Sequence, residues 1–417
     1  MAEPPVWVQA GQYERPSLKG EQTCDLVVIG AGIVGLTAAE YASRHGLRVI
    51  LVEAAAMGEG ASGANAAGIA PIWGMQTPGG VIAELGSERG DVLNRALAAS
   101  ADMLIDRARS LAPASRPVQE GFLTLAARQA TAERLGDVAE QWRRCGAEVE
   151  HLGAALGHYV DSPRYLGGLL FKSGGTFDPL AYMKGLAARC EELGAIIFEN
   201  SPVSRVSRSG DGRWLVDARE GTVRADTAVA AVHGGADLGH GLDQLGGRIE
   251  CQLVSSAPLT QLQRAALPHV STFADLDDMS VFGGTMTADG RVVSTVLPGP
   301  GRLSLPEAAD LLSRKFTRAF PTISPPDWSG MSGGHILMTP KKLPQLIQLG
   351  QGFFAGQGCN GYGLCAGTLL GEDLARLALG SGAWPARFPL EHARRSRAHS
   401  LVSGMVKLAM PLVRRFS

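Results

Sequence analysis

Short apolar runs alternate with amphipathic stretches along the chain, and the clearest example lies near its start. Residues 26–29 form an apolar run of strand length, and residues 36–44 have helical character. Residues 48–52 form a second apolar run that ends at Glu53. An apolar strand, a glycine-containing turn, a helix and another strand are the parts of a βαβ unit, so this segment predicts neighbouring parallel strands.

The rest of the chain mixes helical and strand periodicity. Apolar residues at helical spacing predict helices at residues 81–112, 127–145, 179–193, 305–320 and 364–379. Asp178 is the predicted N-cap of the third of these helices, with Pro179 at its first position. Shorter β-like runs predict strands at residues 195–198, 203–206, 213–218, 227–232, 248–257, 279–285 and 291–296. Asp289-Gly290 is a predicted hairpin turn between the last two strands.

Three glycines in the first unit have the spacing of a phosphate-binding turn. Gly30, Gly32 and Gly35 follow the pattern G-x-G-x-x-G directly after the first strand. Such glycines permit a tight turn, a close approach of backbone N–H groups to a pyrophosphate, and close packing of helix on strand. Glu53 follows the second strand, where an acid accepts hydrogen bonds from a ribose hydroxyl. Because strand, turn, helix and acid all agree, the unit predicts an ADP-containing cofactor.

A second strand, glycine turn and helix lie near the other end of the chain. Residues 353–363 read F-F-A-G-Q-G-C-N-G-Y-G and precede the helix predicted at 364–379. Two such turns predict a cofactor held at both ends, which favours FAD over NAD. The helix N-terminus at residues 361–364 would face the electron-rich end of a flavin ring, where negative charge develops on reduction. A glycine turn that serves only packing is the alternative.

Composition and charge exclude several classes of function. The 417 residues are enough for two domains, and 39 Lys and Arg residues against 40 Asp and Glu residues leave no basic footprint for nucleic acid. Six scattered cysteines without a C-x-x-C pair predict reduced thiols in a cytoplasmic protein and no metal site. Residues 1–23 lack the apolar core of a signal peptide, and no run approaches the roughly 18 apolar residues of a membrane span.

Six motifs follow one another along the chain: the opening unit, A-S-G-A-N-A-A-G at 61–68, the helix start at 178–187, W-S-G at 328–330, T-P-K-K-L-P at 339–344 and the late glycine turn. Their order resembles that of the D-amino-acid oxidase superfamily of FAD enzymes, above all its gamma-glutamylputrescine oxidase-like branch. The resemblance covers nearly the whole chain. It implies a mixed α/β (α+β) fold, in which an FAD-binding Rossmann-like domain of the glutathione-reductase type accompanies a discontinuous antiparallel-sheet substrate domain.

The resemblance also implies domain boundaries. The FAD-binding domain is expected at residues 1–80, 172–242 and 330–400, and the substrate domain at residues 81–171 and 243–329. Residues 401–417 are expected to form an amphipathic C-terminal tail with basic residues. Such a tail resembles a helix that touches a membrane, although packing on the protein's own surface is the commoner outcome.

Positions that match the family's cofactor motifs are expected to line FAD. They are Gly30, Gly32, Ile33, Val34, Gly35, Glu53, Ala54, Ala61, Ser62, Asn65, Ala67, Gly68, Ile69, Val203, Gly356, Gly358, Asn360, Gly361, Tyr362 and Gly363. Relatives with covalent FAD use a cysteine near the W-x-G segment or a histidine just past the ribose-binding acid. Residues 329–344 contain no cysteine and residues 54–72 contain no histidine, so the resemblance implies noncovalent FAD.

One departure from the family concerns the substrate. Amino-acid oxidases of the superfamily place an arginine two residues after the W-x-G glycine, where it pairs with the substrate carboxylate. Ser332 occupies that position, and no arginine lies between Trp328 and Pro344. Unless an arginine from the other domain substitutes, the gap favours an amine over an α-amino acid. Ala64 stands where the branch usually carries a basic residue, which weakens the case for gamma-glutamylputrescine itself.

Three residues beside the expected flavin are candidates for the catalytic pocket walls. Trp73 follows the loop motif, His335 follows the W-x-G segment, and Tyr362 lies within the late turn. A tryptophan in such a position is more often a core residue than a substrate wall, which is the alternative for Trp73. A histidine such as His335 is as often structural as functional. Lys341 and Lys342 are candidates for assisting oxygen activation, although adjacent lysines are usually solvated.

These observations predict a FAD enzyme that oxidises a primary or secondary amine to an imine, by hydride transfer to flavin N5 with O2 as acceptor. The alternative is a dehydrogenase of a D-amino acid or related amino acid that passes electrons to a quinone or another acceptor. A flavin monooxygenase is disfavoured because residues 354–363 lack the G-D-A motif of that class. A dinucleotide sensor without activity is a further alternative, and no amine would bleach its flavin.

Overall fold

The computed structural model describes residues 15–232, 238, 240–242, 245–299, 301–380 and 385–393. Residues 1–14 and the predicted tail at 401–417 lie outside the described residues. Within the described ranges the strands form a nine-stranded sheet, an eight-stranded sheet and a two-stranded pair. The mixed α/β fold expected from the sequence is confirmed.

The elements are numbered in chain order. The helices are α1 (Ile33–Arg44), α2 (Pro78–Leu85), α3 (Ser87–Leu111), α4 (Gln129–Arg144), α5 (Pro179–Glu192), α6 (Gln261–Ala266), α7 (Leu305–Ala319) and α8 (Gly363–Leu379). The strands are β1 (Gly20–Ile29), β2 (Val49–Val52), β3 (Gly68–Ile69), β4 (Phe122–Ala126), β5 (Val149–Leu152), β6 (Gly167–Phe171), β7 (Gly175–Thr176), β8 (Ile196–Phe198), β9 (Val203–Arg208), β10 (Trp214–Ala218), β11 (Gly221–Ala230), β12 (Gly247–Ser256), β13 (Thr272–Asp275), β14 (Phe282–Met286), β15 (Val292–Val296), β16 (Trp328–Met338), β17 (Gln345–Gly350), β18 (Phe353–Gln357) and β19 (Leu390–His392). Short 3₁₀ turns occur at Pro113–Ser115 and Ala154–His158.

The nine-stranded sheet has the order β19-β17-β18-β11-β1-β2-β8, and β10 and β9 extend from β11 as a meander. Strands β8, β2, β1, β11 and β18 are mutually parallel. One face packs on α1, α3, α5 and α8, and the other packs on the meander. Because parallel strands end at the same edge, the carboxyl ends of β1, β2, β11 and β18 define one cleft.

The eight-stranded sheet has the order β16-β12-β15-β14-β13-β4-β6-β5. Its pairs are antiparallel except for β13 and β4, which are parallel. The helix α7 covers one face through a cluster that includes Phe316 and Trp328. The other face looks toward the pair of β3 and β7, which lies between the two large sheets.

Two predicted elements differ from the structure. The helix predicted at 81–112 is divided into α2 and α3 at Gly86, whose φ of 82° interrupts the helix. The strand predicted at 279–285 begins only at Phe282, because the preceding residues form a turn whose polar groups bind the buried Lys315.

Two local predictions are confirmed at single residues. Asp178 caps α5, since its Oδ1 accepts a hydrogen bond from the N–H of Ala181 at 2.9 Å. Gly290 has a φ of 81° and lies in the predicted hairpin turn before β15. Both positions could be predicted from the sequence because a helix cap and a tight turn depend on only a few adjacent residues.

The sheets divide the chain close to the boundaries expected from the resemblance. The boundary expected at residue 330 falls inside β16, which belongs wholly to the eight-stranded sheet. The helix α3, expected in the substrate domain, packs with α5 and α8 against the nine-stranded sheet. The domain division itself stays an expectation, with these two segments as the points where sheet membership departs from it.

Neither a membrane-crossing helix nor a metal-binding cluster occurs in the part of the chain that the structure describes. None of the helices there combines the length and hydropathy needed to cross a membrane. The same residues contain no cluster of three or more His, Cys, Asp or Glu side chains arranged to hold a metal ion.

Candidate cofactor and substrate site

The turn after β1 has the tight geometry that its glycines predict. Gly30 has a φ of 101°, and a Cβ atom there would lie 2.7 Å from the carbonyl oxygen of Ala231. A Cβ atom at Gly35 would collide with the carbonyl oxygen of Gly30. Both obstacles are backbone atoms, which cannot move without displacing a strand or α1. Glycine at these two positions therefore brings the N-terminus of α1 against the strand ends.

The end of β2 meets the same turn at Glu53. The N–H of Ala31 donates to Glu53 Oε2 at 2.6 Å, and the N–H of Ala55 donates to Oε1 at 3.2 Å. Two backbone donors thus hold the carboxylate over the glycine turn, and its oxygens keep lone pairs for further donors. This is the position that ribose recognition requires, and the role itself stays a prediction.

Residues 58–67 fold over the first turn of α1. The N–H of Ile33 donates to Ser62 Oγ at 3.0 Å, and a Cβ atom at Gly32 would lie 3.0 Å from the same oxygen. Asn65 shapes this loop, because its Nδ2 donates to the carbonyl of Ser62 at 2.6 Å and its Oδ1 accepts from the N–H of Ala67 at 2.7 Å. An oxygen at the positive end of a helix occupies an anion's position, so Ser62 marks where we expect a phosphate.

The loop then runs between the two large sheets. Ala67 packs against Leu253 and Val293 of the eight-stranded sheet. A Cβ atom at Gly68 would lie 3.0 Å from Thr272 Oγ1 of that sheet, whereas Ile69 is buried in the core beside α8. The predicted cofactor positions from Ala61 to Ile69 are therefore held from both sides.

Val203 begins β9 beside the strand end that carries Glu53. The N–H of Glu53 donates to the carbonyl of Phe198 at 2.8 Å, and the N–H of Ser201 donates to the carbonyl of Glu53 at 2.8 Å. The chain from β8 to β9 therefore follows the end of β2, which brings Val203 to the corner occupied by Glu53 and Ala54.

Asn360 closes the second glycine turn. It has a φ of 53°, its Oδ1 accepts from the N–H of Thr339 at 2.8 Å, and its Nδ2 donates to the carbonyl of Gly358 at 2.5 Å. Thr339 directly follows β16, so this clamp joins the eight-stranded sheet to the turn. Gly361, with a φ of 90°, leads the chain into α8, and a Cβ atom there would lie 3.7 Å from Ile336 Cδ1.

The two glycine turns open on one cleft because α1 and α8 pack closely. A Cβ atom at Gly367 would lie 3.0 Å from Ile33 Cγ2, and one at Gly371 would collide with the carbonyl oxygen of Val34. Gly367 and Gly371 lie in the second and third turns of α8 and face the first turns of α1, so the N-terminal parts of the two helices are neighbours. Their free N–H groups therefore converge, as a cofactor held at both ends requires.

Replacing Asn360 by alanine is expected to weaken FAD binding by roughly 5- to 150-fold. The buried N–H of Thr339 then loses its acceptor, which costs about 1–3 kcal/mol. Asn360→Gly removes the same hydrogen bonds but permits the left-handed backbone, so its defect should be smaller by about 1 kcal/mol. Titration of the apoprotein with FAD, followed by flavin fluorescence, measures both variants. An Asn360→Ala affinity equal to that of the wild type would contradict the clamp.

Two of the candidate wall residues have different surroundings. Tyr362 is the N-cap residue of α8 and is half-buried, and burial raises the pKa of its hydroxyl. A Cβ atom at Gly74 would lie 2.5 Å from Tyr362 Cδ2, so the loop before α2 covers this ring. Trp73 is buried and its Nε1–H donates to Asn94 Oδ1 at 2.8 Å. Tyr362 therefore lies at the late glycine turn, whereas Trp73 is part of the core.

His335 and Ile336 point to opposite faces of β16, since side chains alternate along a strand. Ile336 lies near Gly361 of the glycine turn. Met331, on the same face as His335, packs on the cluster beneath α7. His335 lies opposite Glu250 of β12, also on the α7 face. This geometry favours the structural alternative for His335.

The opposite face of β12 and β16 looks toward the glycine turn, and we call it the inner face. Its residues, in paired order, are Gly247 with Met338, Ile249 with Ile336, Cys251 with Gly334, Leu253 with Ser332, and Ser255 with Gly330. No member of this set carries a charge. Burial raises the pKa of Cys251 to about 11, so its thiol is neutral at pH 7.

Ser332 and Ser255 are the two hydroxyl-bearing residues of the inner face, and Ser332 stands at the position that the sequence singled out. The hydrogen bonding of Ser332 is the more informative. Its Oγ is buried and has no hydrogen bond to another described group. The sequence singled out Ser332 but missed the residues of β12 that surround it, namely Ile249, Cys251 and Leu253. The sequence feature that could have identified these three residues is the alternation of side chains along the strand predicted at 248–257. Alternation alone does not show which face of the strand meets the cofactor.

The lysines considered for oxygen activation lie at the surface beside this site. Lys341 Nζ is 3.0 Å from Glu391 Oε1 and 3.3 Å from Glu84 Oε1. The hydrogen bond from Lys341 to Glu391 raises the pKa of its ammonium group, although burial lowers it. Lys342 is exposed. Lys341 therefore joins three segments of the surface, and among the described residues no contact aims either ammonium into the cleft.

The residues of the cleft fit a dinucleotide that carries a flavin. One glycine cradle and an acid suit the ADP part, and a second helix N-terminus suits the end of a ring where negative charge develops. Fold and site thus define a dinucleotide-dependent oxidoreductase with two sheets.

A family model described as FAD dependent oxidoreductase (DAO) matches residues 25–377. The chain belongs to this family, and the FAD predicted from the two glycine turns is confirmed.

Individual relatives agree with the resemblance drawn from the motifs. A gamma-glutamylputrescine oxidoreductase of Escherichia coli (strain K12) is 26% identical over 366 residues, which cover 86% of this chain and 84% of the relative. Glycine oxidase from Geobacillus kaustophilus has a TM-score of 0.69 at 20% identity, covering 87% of this chain and 96% of that one. L-proline dehydrogenase from P. horikoshii has a TM-score of 0.71 at 17% identity, covering 89% and 96%. These two structures support the fold alone.

Proposed function

We propose that this protein oxidises the C–N bond of a primary or secondary amine to an imine, with O2 as the electron acceptor. Bound FAD supplies the hydride acceptor at flavin N5. The protein's own part is to hold the amine carbon against the flavin and to keep the nitrogen unprotonated. The observation that carries the proposal is the uncharged inner face around Ser332.

An α-amino acid brings a carboxylate, and a buried carboxylate needs a cationic partner. The inner face offers a serine at the position where the family's amino-acid oxidases place arginine. Arg302 is nearby in space, since a Cβ atom at Gly333 would lie 3.4 Å from its Cζ, but its Nε donates to Glu250 Oε1 at 2.6 Å on the α7 face. The inner face therefore suits a substrate without a carboxylate beside its reacting carbon.

The same face suits a neutral amine. Ile249, Leu253 and Ile336 form an apolar wall, and an apolar surround lowers the pKa of an amine because it penalises the ammonium form. The free Oγ of Ser332 can accept or donate one hydrogen bond, which is enough to orient an amine nitrogen. The E. coli relative is named for an amine derivative, gamma-glutamylputrescine, which agrees with this substrate class.

An anaerobic panel of amines, polyamines, and L- and D-amino acids tests the substrate class by bleaching of the flavin absorbance. We expect amines to reduce the flavin and α-amino acids to leave it oxidised. Bleaching by α-amino acids alone would overturn the argument from Ser332. Readmission of air to the reduced, detergent-free protein tests the acceptor. Slow reoxidation would favour the alternative, an amino-acid or amine dehydrogenase that uses another acceptor.

Replacing Ser332 by arginine is expected to shift specificity toward carboxylate substrates. The bidentate guanidinium supplies charge-assisted hydrogen bonds worth about 1.5–3 kcal/mol, a roughly 10- to 150-fold gain in kcat/KM for an α-amino acid relative to its decarboxylated amine. Ser332→Lys is the matched control, because it has the same charge but lacks the planar fork. Steady-state kinetics with both members of a substrate pair measure the ratio. A ratio unchanged in Ser332→Arg, with FAD still bound, would show that Ser332 does not face the substrate.

A further inference from the structure

The middle of the inner face carries a groove with small residues at its floor. Cys251 and Gly334 are paired there, and a Cβ atom at Gly334 would meet only Cys251 Sγ, at 3.9 Å, among the described residues. Ile249 and Ile336 stand on one side of this pair, and Leu253 stands on the other. Because paired residues lie side by side, the groove runs across β12 and β16 rather than along them. We call it the Gly334 groove.

The Gly334 groove lies between two points where other parts of the cleft touch the inner face. At one point, a Cβ atom at Gly361 of the late glycine turn would lie 3.7 Å from Ile336 Cδ1. At the other point, Ala67 packs against Leu253, which is buried. Both residues at the floor of the groove are partly exposed. The described chain therefore covers the inner face on either side of the groove and leaves the floor accessible from the cleft.

One end of the Gly334 groove opens to solvent, because β16 is the edge strand of its sheet. Along this strand Gly330 and Leu337 are buried, whereas residues 331–336 are at least partly accessible and Gly333 is exposed. Glycine in a strand often marks a place where a ligand approaches the backbone closely. Since neither Gly333 nor Gly334 has a side chain, a ligand can cross β16 here without displacing one.

The polarity of the groove suits a carbon chain. Ile249 and Ile336 form one wall and Leu253 forms the other, and none of the inner-face residues is charged. Ser332 lies two residues from Gly334 on the same face, roughly 7 Å along the strand. Its buried Oγ has no hydrogen bond to another described group. A buried hydroxyl without a partner calls for a polar ligand group beside it, so a polar position and an apolar groove are neighbours.

We propose that the substrate amine carries an unbranched alkyl chain, and that this chain runs through the Gly334 groove and emerges across β16. The inference rests on the proposed function, because it needs an amine nitrogen beside Ser332. From that position the chain enters the groove directly, whereas a short amine leaves the groove unfilled. The Cα atoms of Ile249 and Leu253 are roughly 13 Å apart along β12. Their side chains narrow this gap, which suits one unbranched chain.

A series of unbranched amines from methylamine to octylamine tests the groove, with primary amines and with their N-methyl derivatives. The measurement is the second-order rate constant for anaerobic flavin reduction in the FAD-bound protein. We expect it to rise roughly threefold to fourfold for each added CH₂ group, because each group buries apolar surface. The rise should level off once the chain has passed β16 into solvent. A rate constant that does not change with chain length would overturn the proposal.

Two substitutions fill the groove from different strands. Gly334→Val fills it from β16 and Cys251→Leu fills it from β12, so each should lower the ratio of the octylamine to the ethylamine rate constant by about tenfold or more. Gly333→Val is the matched control, because it adds the same side chain to the same strand on the opposite face. There a Cβ atom would lie 3.4 Å from the Cζ atom of the exposed Arg302 side chain, which can move. This control should keep the wild-type ratio.

An equal loss of this ratio in Gly333→Val and Gly334→Val would overturn the assignment of the groove. Flavin content and melting temperature identify a variant that fails to fold, and Cys251→Leu then carries the test without Gly334→Val. Failure of the proposed function gives a different result. If α-amino acids reduce the flavin and amines do not, that function is wrong, and α-amino acids with lengthening unbranched side chains test the groove in the same variants. If amines of all lengths react equally, the function stands and the groove assignment is wrong.

Discussion

Replacing Gly35 by alanine is expected to yield a protein that purifies without FAD. Gly35 lies in α1 where a Cβ atom would collide with the carbonyl oxygen of Gly30. The carbonyl of Gly30 belongs to the backbone of the turn and the new Cβ belongs to α1, so neither can move alone. The helix α1 must therefore withdraw from the turn. Withdrawal removes the N–H groups that we expect to meet the pyrophosphate and separates α1 from α8. Both glycine turns should therefore lose their shape together.

The ratio of absorbance at 450 nm to that at 280 nm measures flavin content after purification. We expect it to fall by about tenfold or more in Gly35→Ala, since one backbone clash outweighs the few kcal/mol of a phosphate subsite. Gly136→Ala is the matched control, because it also lies inside a helix but would make only an ordinary contact of 3.7 Å with His151. That variant should keep its FAD and gain about 0.5–1 kcal/mol of stability. Full flavin content in Gly35→Ala would refute the role assigned to the turn.

Replacing Lys315 by methionine is expected to destabilise the protein by about 3–5 kcal/mol. The side chains of Lys315 and Asp278 are 5% and 0% exposed, so the substitution leaves a buried carboxylate without its closest cation. Ser280 Oγ and the carbonyl of Val281 lose a donor in the same step. Urea unfolding at pH 7 gives the free energy directly. Lys172→Met is the control, since its pair with Glu150 is about half exposed and is worth at most about 1 kcal/mol.

The loss of unfolding free energy in Lys315→Met is expected to be larger at pH 7 than at pH 4. Burial raises the pKa of Asp278, but the Lys315 ammonium and the hydrogen bonds to its carboxylate outweigh burial and hold the pKa below its usual value. In the wild type this stabilisation is present above the unfolded pKa of about 3.9 and is lost as pH falls through the folded pKa. In Lys315→Met the ammonium is gone while burial and the hydrogen bonds from Ser280 remain, so Asp278 takes up a proton more easily than in the wild type. The difference in unfolding free energy between the wild type and Lys315→Met should therefore shrink as pH falls from 7 toward 4. A difference that stays constant over this range would contradict the pairing of Lys315 with Asp278.

The cofactor turns were predictable because their information is local. Gly30, Gly32, Gly35 and Glu53 act within one βαβ unit, so their spacing is enough to place them at one corner. The same holds for Asp178 as the cap of α5. What the spacing could not supply was the contact of Ser62 with Ile33, since the loop reaches α1 only through its own hydrogen bonds at Asn65.

The substrate face was less predictable because it depends on pairing between distant strands. The strand β16 reads W-S-G-M-S-G-G-H-I-L-M, whose glycines give weak strand propensity, and it is extended because it pairs with β12 along its length. The choice of face decides that Ile336 lies beside the late glycine turn and that His335 lies on the α7 side. No pattern within β16 distinguishes the two faces, which explains why His335 was a candidate and Ile336 was not.

The packing of α8 on α1 has a consequence for how the protein is made. Gly30 and Gly361 are separated by about 330 residues, yet their helices interlock through Gly367 and Gly371. At roughly 5–20 residues per second, a ribosome releases the first turn roughly 15–65 s before the second. During most of its synthesis the nascent chain therefore has the first glycine turn but not the second. FAD loading becomes a late event, and cellular flavin supply acts on the finished polypeptide rather than on the emerging one.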